Sequence, residues 1–219
     1  MTALDDSEND AKARKRRNIR DRADAIKDYR CKYLIAVLEN PADMRNIGTV
    51  IRNVDALGVE KTYIIDPRRR LPDDWQEMRD RKSLAKPSVS AIKWSFVKRF
   101  DSTQDCLQHL KRNLYASIVT SPHIKGQNNL DLHEADYTGY KRLAVWFGSE
   151  AVGISDEAVA HAEACVSIPM FGMIESLNLG TTSGIVLCEV TRQRRAWQQK
   201  HRRTKRQKRR AAALQRDVD

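Results

Sequence analysis

Residues Tyr33 to Leu38 form the longest unbroken apolar run in the chain. The run falls far short of the roughly 20 residues a membrane span needs. It does not alternate with polar residues, so a strand here has no solvent face and must be covered on both sides. Asn40 and Pro41 end it. Beyond them Ile47, Val50, Ile51, Val54 and Leu57 recur at helical spacing, and Gly58 is placed to close that helix as its C′ residue. Thr62 to Ile65 reads as a second strand, stopped by Asp66 and Pro67. A strand, a helix and a strand in this order make a crossover unit with parallel strands.

The alternation continues. Residues 67 to 88 are polar and opened by Arg68, Arg69 and Arg70, and no element is assigned to them. A short strand is expected within Val89 to Val97, a helix over Asp101 to Asn113 capped by Asp101 or Ser102, and a buried strand over Leu114 to Val119. A polar loop follows, then a strand over Leu143 to Phe147. Ser155 is expected to cap a helix through Ala164, with Asp156 and Glu157 favourably placed in its first turn. Cys165 to Ile168 reads as a strand, and Thr181 opens the last core helix. The class is therefore α/β, with a mostly parallel sheet flanked by helices. The layout is a charged arm at residues 1–30, a domain at 31–195 and a basic helical tail at 196–219, losing order towards Asp219.

Apolar residues make up 41% of the chain, enough for a real core. Cys31, Cys106, Cys165 and Cys188 are scattered, with no Cys-x-x-Cys pair and no His at ligand spacing. Buried reduced thiols are expected, with no disulfide framework and no metal site. Met1 to Asp10 is acidic and polar, unlike a signal peptide, and the reduced thiols fit a cytoplasmic protein.

The net charge of +11 is concentrated. Residues 1–30 carry nine basic and seven acidic residues, and residues 31–191 carry 19 and 20. Residues 192–219 carry 12 and two, a surplus of +10. A block this basic attracts a polyanion, and RNA or DNA phosphate is the natural partner. An anionic membrane is disfavoured, because the tail has no apolar face apart from Trp197 and Leu214.

The common nucleotide motifs are absent. The first strand leads into Glu39-Asn40-Pro41 and not into Gly-x-Gly-x-x-Gly, and no phosphate-loop, Gly-x-Ser-x-Gly or His-Glu-x-x-His motif occurs. Three other stretches are unusual. In Asn46-Ile47-Gly48-Thr49-Val50-Ile51-Arg52, Arg52 lies almost opposite the apolar stripe, where an exposed arginine needs no function. In Phe147 to Ser155 a strand ends in glycines before a helix, where free backbone N–H groups can meet a ligand or simply turn. In Ile168 to Gly180, Ser176-Leu177-Asn178 sits between glycines. Keeping this polar stretch buried is costly, and Ser176 and Asn178 need hydrogen-bond partners there, which favours a site over a mere connection.

Taken together and in order, these stretches resemble the signature motifs of the SPOUT methyltransferases, specifically the TrmH family. The first resembles Asn-x-Gly-x-x-x-Arg and the second Phe-Gly-x-Glu-x-x-Gly, at Phe147 to Gly153. The third resembles Ile-Pro-Met followed by Ser-Leu-Asn, with a helix ending in Glu-x-x-Arg-Gln-Arg, here Glu189 to Arg194. The resemblance covers about Lys32 to Arg195. It implies an α/β sheet whose C-terminal part is threaded as a deep trefoil knot, a rare departure from unknotted topology. It implies a homodimer with each active site near the interface, and S-adenosylmethionine held by backbone groups of the second and third motifs. Ser117, Gly148, Ile168, Met170 and Leu177 are the implied cofactor-binding residues. The reaction implied is methyl transfer to a ribose 2′-hydroxyl of RNA, with no metal, and Asn46, Arg52, Glu150, Ser176 and Asn178 as the catalytic set. About 30 residues precede the first strand, too few for a separate RNA-binding domain. That layout resembles the members that methylate a guanosine in the tRNA D-loop, so tRNA is favoured over rRNA. An rRNA methyltransferase, a base methyltransferase of another SPOUT branch and a non-catalytic RNA-binding protein of the same fold are the competing readings. One departure is Gly184, inside the last helix, where glycine costs about 1 kcal/mol relative to alanine. Close packing against the knot or a partner is the expected reason.

Overall fold

The computed structural model describes residue 18 and residues 21–216, with side chains 75, 202, 203 and 205–216 left aside. Residues 21–27 are helical, within a unit at residues 1–30 that is separate from the unit at 31–219. The expected loss of order at Asp219 lies outside the described residues.

Seven strands form one sheet: β1 (Cys31–Glu39), β2 (Val59–Ile65), β3 (Phe96–Phe100), β4 (Ala116–Thr120), β5 (Asn129–Asp131), β6 (Leu143–Phe147) and β7 (Ala164–Ser167). Their order is β3-β2-β1-β6-β4-β7-β5, and each neighbouring pair is parallel. Among the described residues from Cys31 onward the helices are α1 (Met44–Ala56), α2 (Trp75–Asp80), α3 (Lys82–Ala85), α4 (Thr103–Arg112), α5 (Asp156–Ala160) and α6 (Leu179–Arg216), with one 3₁₀ turn at Ala91–Lys93.

From Leu34 to Leu38 the apolar run in β1 has the cover it demands, whereas Tyr33 at its start is exposed. Leu34, Ala36 and Leu38 pack with Ile47, Val50, Ile51 and Val54 of α1 and with Val186, Leu187 and Val190 of α6. Ile35 and Val37 pack on the other face with Cys106, Leu107 and Leu110 of α4 and Ala158 of α5. All five of these β1 side chains are fully buried. Burying each is worth about 1.5–3 kcal/mol for the larger aliphatics, so the three layers are mutually required. Asp43 caps α1 through its carboxylate and the Arg45 N–H, and Gly58 follows at φ 70°, as its C′ position requires.

Several expectations are corrected. Val89 and Ser90 have left-handed backbone, φ 49° and 63°, and are followed by the 3₁₀ turn, so the strand begins only at Phe96. The helix after Ser155 stops at Ala160 because Ala164 pairs with Ile118 in the sheet. The 67–88 stretch holds α2 and α3, and the loop before Leu143 holds β5. Cys188 is exposed, while the other three thiols are buried. Gly184 is not forced by packing within the chain: an added Cβ would lie 3.4 Å from the Asn53 amide, an ordinary contact.

The end of the third motif is a clamp. Glu189 accepts from Arg192 Nε and Nη2 and from Gln193 Nε2. Gln193 also donates to Ala135 O and accepts from Tyr137 N. Arg194 is buried, and its guanidinium donates to the carbonyls of Tyr137, Tyr140 and Lys141. These contacts tie residues 135–141 to α6. Among the described residues no helix is long and apolar enough to cross a membrane.

Candidate active site

Ligands of parallel sheets collect outside the C-terminal strand ends, where the strand order reverses. Here the chain builds β1, β2 and β3 outward in one direction, then returns to the other side of β1. A cavity of about 450 Å³ opens there, at the ends of β4, β6 and β7, lined by Thr120, Ser121, Phe147, Val166 and the two loops that follow β6 and β7. That volume suits a drug-sized ligand.

The loop after β6 is shaped by backbone proximity. Ser149 and Gly153 exchange two hydrogen bonds, at 3.1 and 2.9 Å. Gly148 runs so close to that hairpin that a Cβ there would lie 2.1 Å from Gly153 C and 2.2 Å from Ile154 N. Glu39 pins the far end of the loop. Its buried carboxylate accepts from Ser155 N and Oγ, and from Thr103 Oγ1 at the start of α4.

Asn46, Glu150 and Asn178, more than a hundred residues apart in sequence at their extremes, form one hydrogen-bonded row. Asn46 Nδ2 donates to Glu150 Oε1 at 2.5 Å, and Asn178 Nδ2 donates to Asn46 Oδ1 at 3.0 Å. The second oxygen of Glu150 accepts the Ala42 N–H at 2.8 Å. Partial burial pushes the Glu150 carboxyl up, but these donors and further backbone N–H groups outweigh it, so its pKa is below the ordinary carboxylate value. Asn178 is also the cap of α6: its Oδ1 accepts the Gly180 N–H at 2.8 Å, satisfying a donor at the helix start.

Of the ten residues singled out in the sequence, seven line the cavity: Gly148, Glu150, Ile168, Met170, Ser176, Leu177 and Asn178. Asn46 adjoins them through its two hydrogen bonds. Ser176 and Asn178 are exposed to that cavity and not buried as the sequence reading supposed. Ser117 is elsewhere. It sits near the start of β4, where its Oγ accepts the indole N–H of the buried Trp146 at 3.1 Å, and Thr120 and Ser121 occupy the strand end instead. Arg52 is exposed on the outer face of α1 and is not among the residues lining the cavity.

Sequence reasoning missed Arg70. Its guanidinium donates to the carbonyls of Pro41 and Ala42 and to the Asp66 carboxylate. It thereby holds the very turn whose N–H fixes Glu150. The run of arginines was visible, but only the fold shows that Arg69 pairs with Asp101 while Arg70 turns inward.

A parallel sheet covered on both faces thus carries a loop-walled cavity at its switch point, with an Asn–Glu–Asn row beside it. The SpoU rRNA Methylase family matches residues 33–188, and the chain belongs to that family. It is 30% identical over 161 residues to a tRNA (guanosine(18)-2'-O)-methyltransferase of Thermus thermophilus, covering 74% of this chain and 75% of that one. Its fold matches the crystal structure of the A. aeolicus TrmH/SpoU tRNA modifying enzyme at a TM-score of 0.65 and 27% identity, over 80% of this chain and 83% of that one. The AdoMet-bound rRNA methyltransferase from Sinorhizobium meliloti shares the fold, at a TM-score of 0.62 and 23% identity, over 74% of this chain and 56% of that one.

Proposed function

We propose that the protein transfers a methyl group from S-adenosylmethionine to a ribose 2′-hydroxyl of tRNA, at a guanosine in the D-loop. The observation that carries this reading is the Glu150–Asn46–Asn178 row at the mouth of the cavity, in a chain whose relative from Thermus thermophilus is named for that reaction. The cavity suits the cofactor: Val166, Ile168, Leu177, Leu179 and Val186 offer apolar walls, while Glu150 and Glu175 offer carboxylates for a cation. When bound, S-adenosylmethionine supplies an electrophilic methyl on a sulfonium.

The remaining work belongs to the protein. In-line displacement depends on orientation, which rigid positioning provides. Gly148 and the 168–177 loop hold the cofactor, and Asn46, Ser176 and Asn178 orient the ribose. Arg52 binds the adjacent phosphate and steadies the developing alkoxide, since a guanidinium is a poor general base. Its position away from the cavity of its own chain supports a homodimer in which each Arg52 serves the partner's cavity. Exposed Ile185, Cys188 and Trp197 on α6 offer apolar surface for such an association.

We also infer a deep trefoil knot in the C-terminal part. The placement of β6 between β1 and β4, with α6 packed back on α1 through Asn53 and Gly180, supports it. Residues 1–30 and 196–219 act as RNA-binding arms of the methyltransferase domain at 31–195, in a cytoplasmic enzyme. Methylation of tRNA and rRNA pools with labelled cofactor, followed by mapping, tests the proposal. A label on a guanosine ribose of the tRNA D-loop is expected. Absence of transfer, or a label on a base, overturns it.

A further inference from the structure

A second cavity, of about 370 Å³, opens at the opposite end of the sheet. Its walls come from the starts of the strands. Tyr33 lies in β1, Lys61 and Tyr63 in β2, Phe96 and Lys98 in β3, while Tyr115 and Arg142 immediately precede β4 and β6. The length of β4 separates it from Thr120 in the cofactor cavity, about 16 Å at ~3.3 Å per residue.

Its composition differs from that of an ordinary sheet edge. Tyr33 and Phe96 are 42% and 47% exposed. The Arg142 guanidinium lies 5.1 Å from the Tyr33 ring centre and 5.8 Å from that of Tyr115. The Lys61 ammonium is 5.6 Å from the Phe96 ring centre. The register Lys61↔Phe96 and Tyr63↔Lys98 alternates cation and aromatic across one face. Against these three cations stands Glu60, which pairs with Lys61 at 3.5 Å and accepts the Tyr33 N–H at 2.5 Å. His109, in the same wall, is held below its ordinary pKa first by burial and then by Lys98, Arg112 and Lys61. The surrounding span of residues 31–191 carries 19 basic and 20 acidic residues, so the patch is not a reflection of bulk charge.

Tyr33 adds a conformational observation. Its φ is 62°, left-handed for a bulky residue, and the pairing of β1 with β2 slips between Cys31 and Ile35. A left-handed backbone is strained for a residue with a side chain, and here it turns an aromatic ring outward that apolar burial would draw in.

Exposed aromatic faces flanked by cations in a groove are what unpaired nucleotides bind: bases stack on the rings while Lys and Arg neutralise phosphates. A duplex hides its base faces, and an acidic peptide has no planes to stack. We propose that this groove binds an unpaired stretch of the substrate RNA, with bases on Tyr33 and Phe96 and phosphates at Lys61, Lys98 and Arg142. The inference rests on the RNA-methyltransferase reading and extends the RNA footprint to a second pole of the sheet. A site that remote governs substrate capture, not the methyl-transfer step.

Fluorescence anisotropy with the full chain tests it, using a labelled tRNA transcript and a short unpaired oligoribonucleotide over a range of salt. The double variant Lys61→Gln/Lys98→Gln flattens the slope of log affinity against log salt by about 1.4, at ~0.7 per single-strand phosphate. Phe96→Ala weakens oligoribonucleotide binding roughly tenfold, and Phe96→Trp restores it. In methylation assays these variants raise KM and leave kcat unchanged, and S-adenosylmethionine calorimetry confirms that each is folded. Unchanged affinity and slope in all three overturn the proposal. So does an equal loss in Phe96→Ala and Phe96→Trp, or competition by an acidic peptide in place of RNA. If the unaltered protein methylates no RNA yet binds the oligoribonucleotide through these residues, the activity fails and the groove stands.

Discussion

Gly148→Ala is the sharpest perturbation of the candidate active site. A Cβ at this position meets Gly153 C at 2.1 Å, Ile154 N at 2.2 Å and Gly153 O at 2.5 Å. These are backbone atoms, so no rotamer change relieves the overlap. Either residue 148 retreats from the cavity or the Ser149–Gly153 hairpin opens. Overpacking of this kind costs about 1–3 kcal/mol. Opening the hairpin loses two hydrogen bonds, each worth about 0.5–1.5 kcal/mol net. By either route the cost is about 1–3 kcal/mol, expressed as lost global stability or as displacement of a cavity wall. Gly153→Ala is the control: its φ is 76° but nothing lies within 4 Å of an added Cβ, so only backbone strain of about 1–2 kcal/mol applies. Urea unfolding and calorimetric titration with S-adenosylmethionine measure both. Gly148→Ala is expected to lose cofactor affinity at least tenfold, or stability by about 1–3 kcal/mol, and to exceed Gly153→Ala in the combined loss. If Gly148→Ala binds the cofactor as the unaltered protein does and unfolds within about 0.5 kcal/mol of it, the close approach does not shape the cavity.

Arg70→Ala releases the Pro41–Ala42 turn and leaves the buried Asp66 carboxylate with only the Leu71 N–H among these partners. A stability loss of about 1.5–3 kcal/mol and a fall in kcat well below the unfolding temperature are expected, and Arg70→Lys, with fewer fixed donors, restores them only in part. Glu189 is held at a pKa of about 2, chiefly by its hydrogen bonds from Arg192 and with help from Gln193, against the opposing effect of burial. A depressed native pKa contributes stability above the unfolded value of about 4.3, and that contribution disappears as pH falls towards 2; chemical unfolding of Glu189→Gln at successive pH values must show a shallower acid loss. Truncation at residue 195 is expected to weaken tRNA binding and flatten its salt dependence, with S-adenosylmethionine binding nearly unchanged; equal affinity at moderate salt discards the tail as an RNA arm.

The strands covered on both faces were legible because burial leaves an unbroken apolar signature, as in Leu34 to Leu38 and Leu143 to Phe147. The strand β5 was not: Asn-Leu-Asp at the sheet edge pairs only with β7 and needs no apolar face. The short helix α2 had a local signal that went unread, Asp74 capping the Glu77 N–H, while tertiary bonds such as Arg79 to Lys93 O and Arg81 to Arg70 O also hold α2 and α3. The helix after Ser155 was overextended because Ala-rich sequence favours helix, while the Glu163 N–H to Ser117 O bond draws the chain back into the sheet. The motif residues were found by resemblance, yet their chemistry became readable only with the fold. Asn178 is both a helix cap and a member of the Asn46–Glu150 row, and Ser117 serves Trp146. Burial alone misled at Ser176 and Asn178, since the cavity itself exposes them.

The position of Arg52 makes the dimer proposal testable without a structure of the complex. Arg52 projects from the outer face of α1 and does not line the cavity of its own chain, whereas Gly148 does. If Arg52 serves the partner's cavity, Arg52→Ala and Gly148→Ala damage different halves of a composite site. Each homodimer has two defective sites. A heterodimer has one site carrying both defects and one site carrying neither. Random reassortment of equal amounts makes about half of the dimers heterodimers, so roughly a quarter of the unaltered activity returns on mixing. Unfolding and refolding the two variants together, followed by a methylation assay, measures this. The same variants refolded separately and then mixed on ice give the baseline. Recovery only after joint refolding establishes that the arginine acts across the interface. No recovery, with size-exclusion chromatography confirming dimers and calorimetry confirming cofactor binding by the mixture, shows that Arg52 acts within its own chain, which then requires α1 or the 168–178 loop to move when RNA binds.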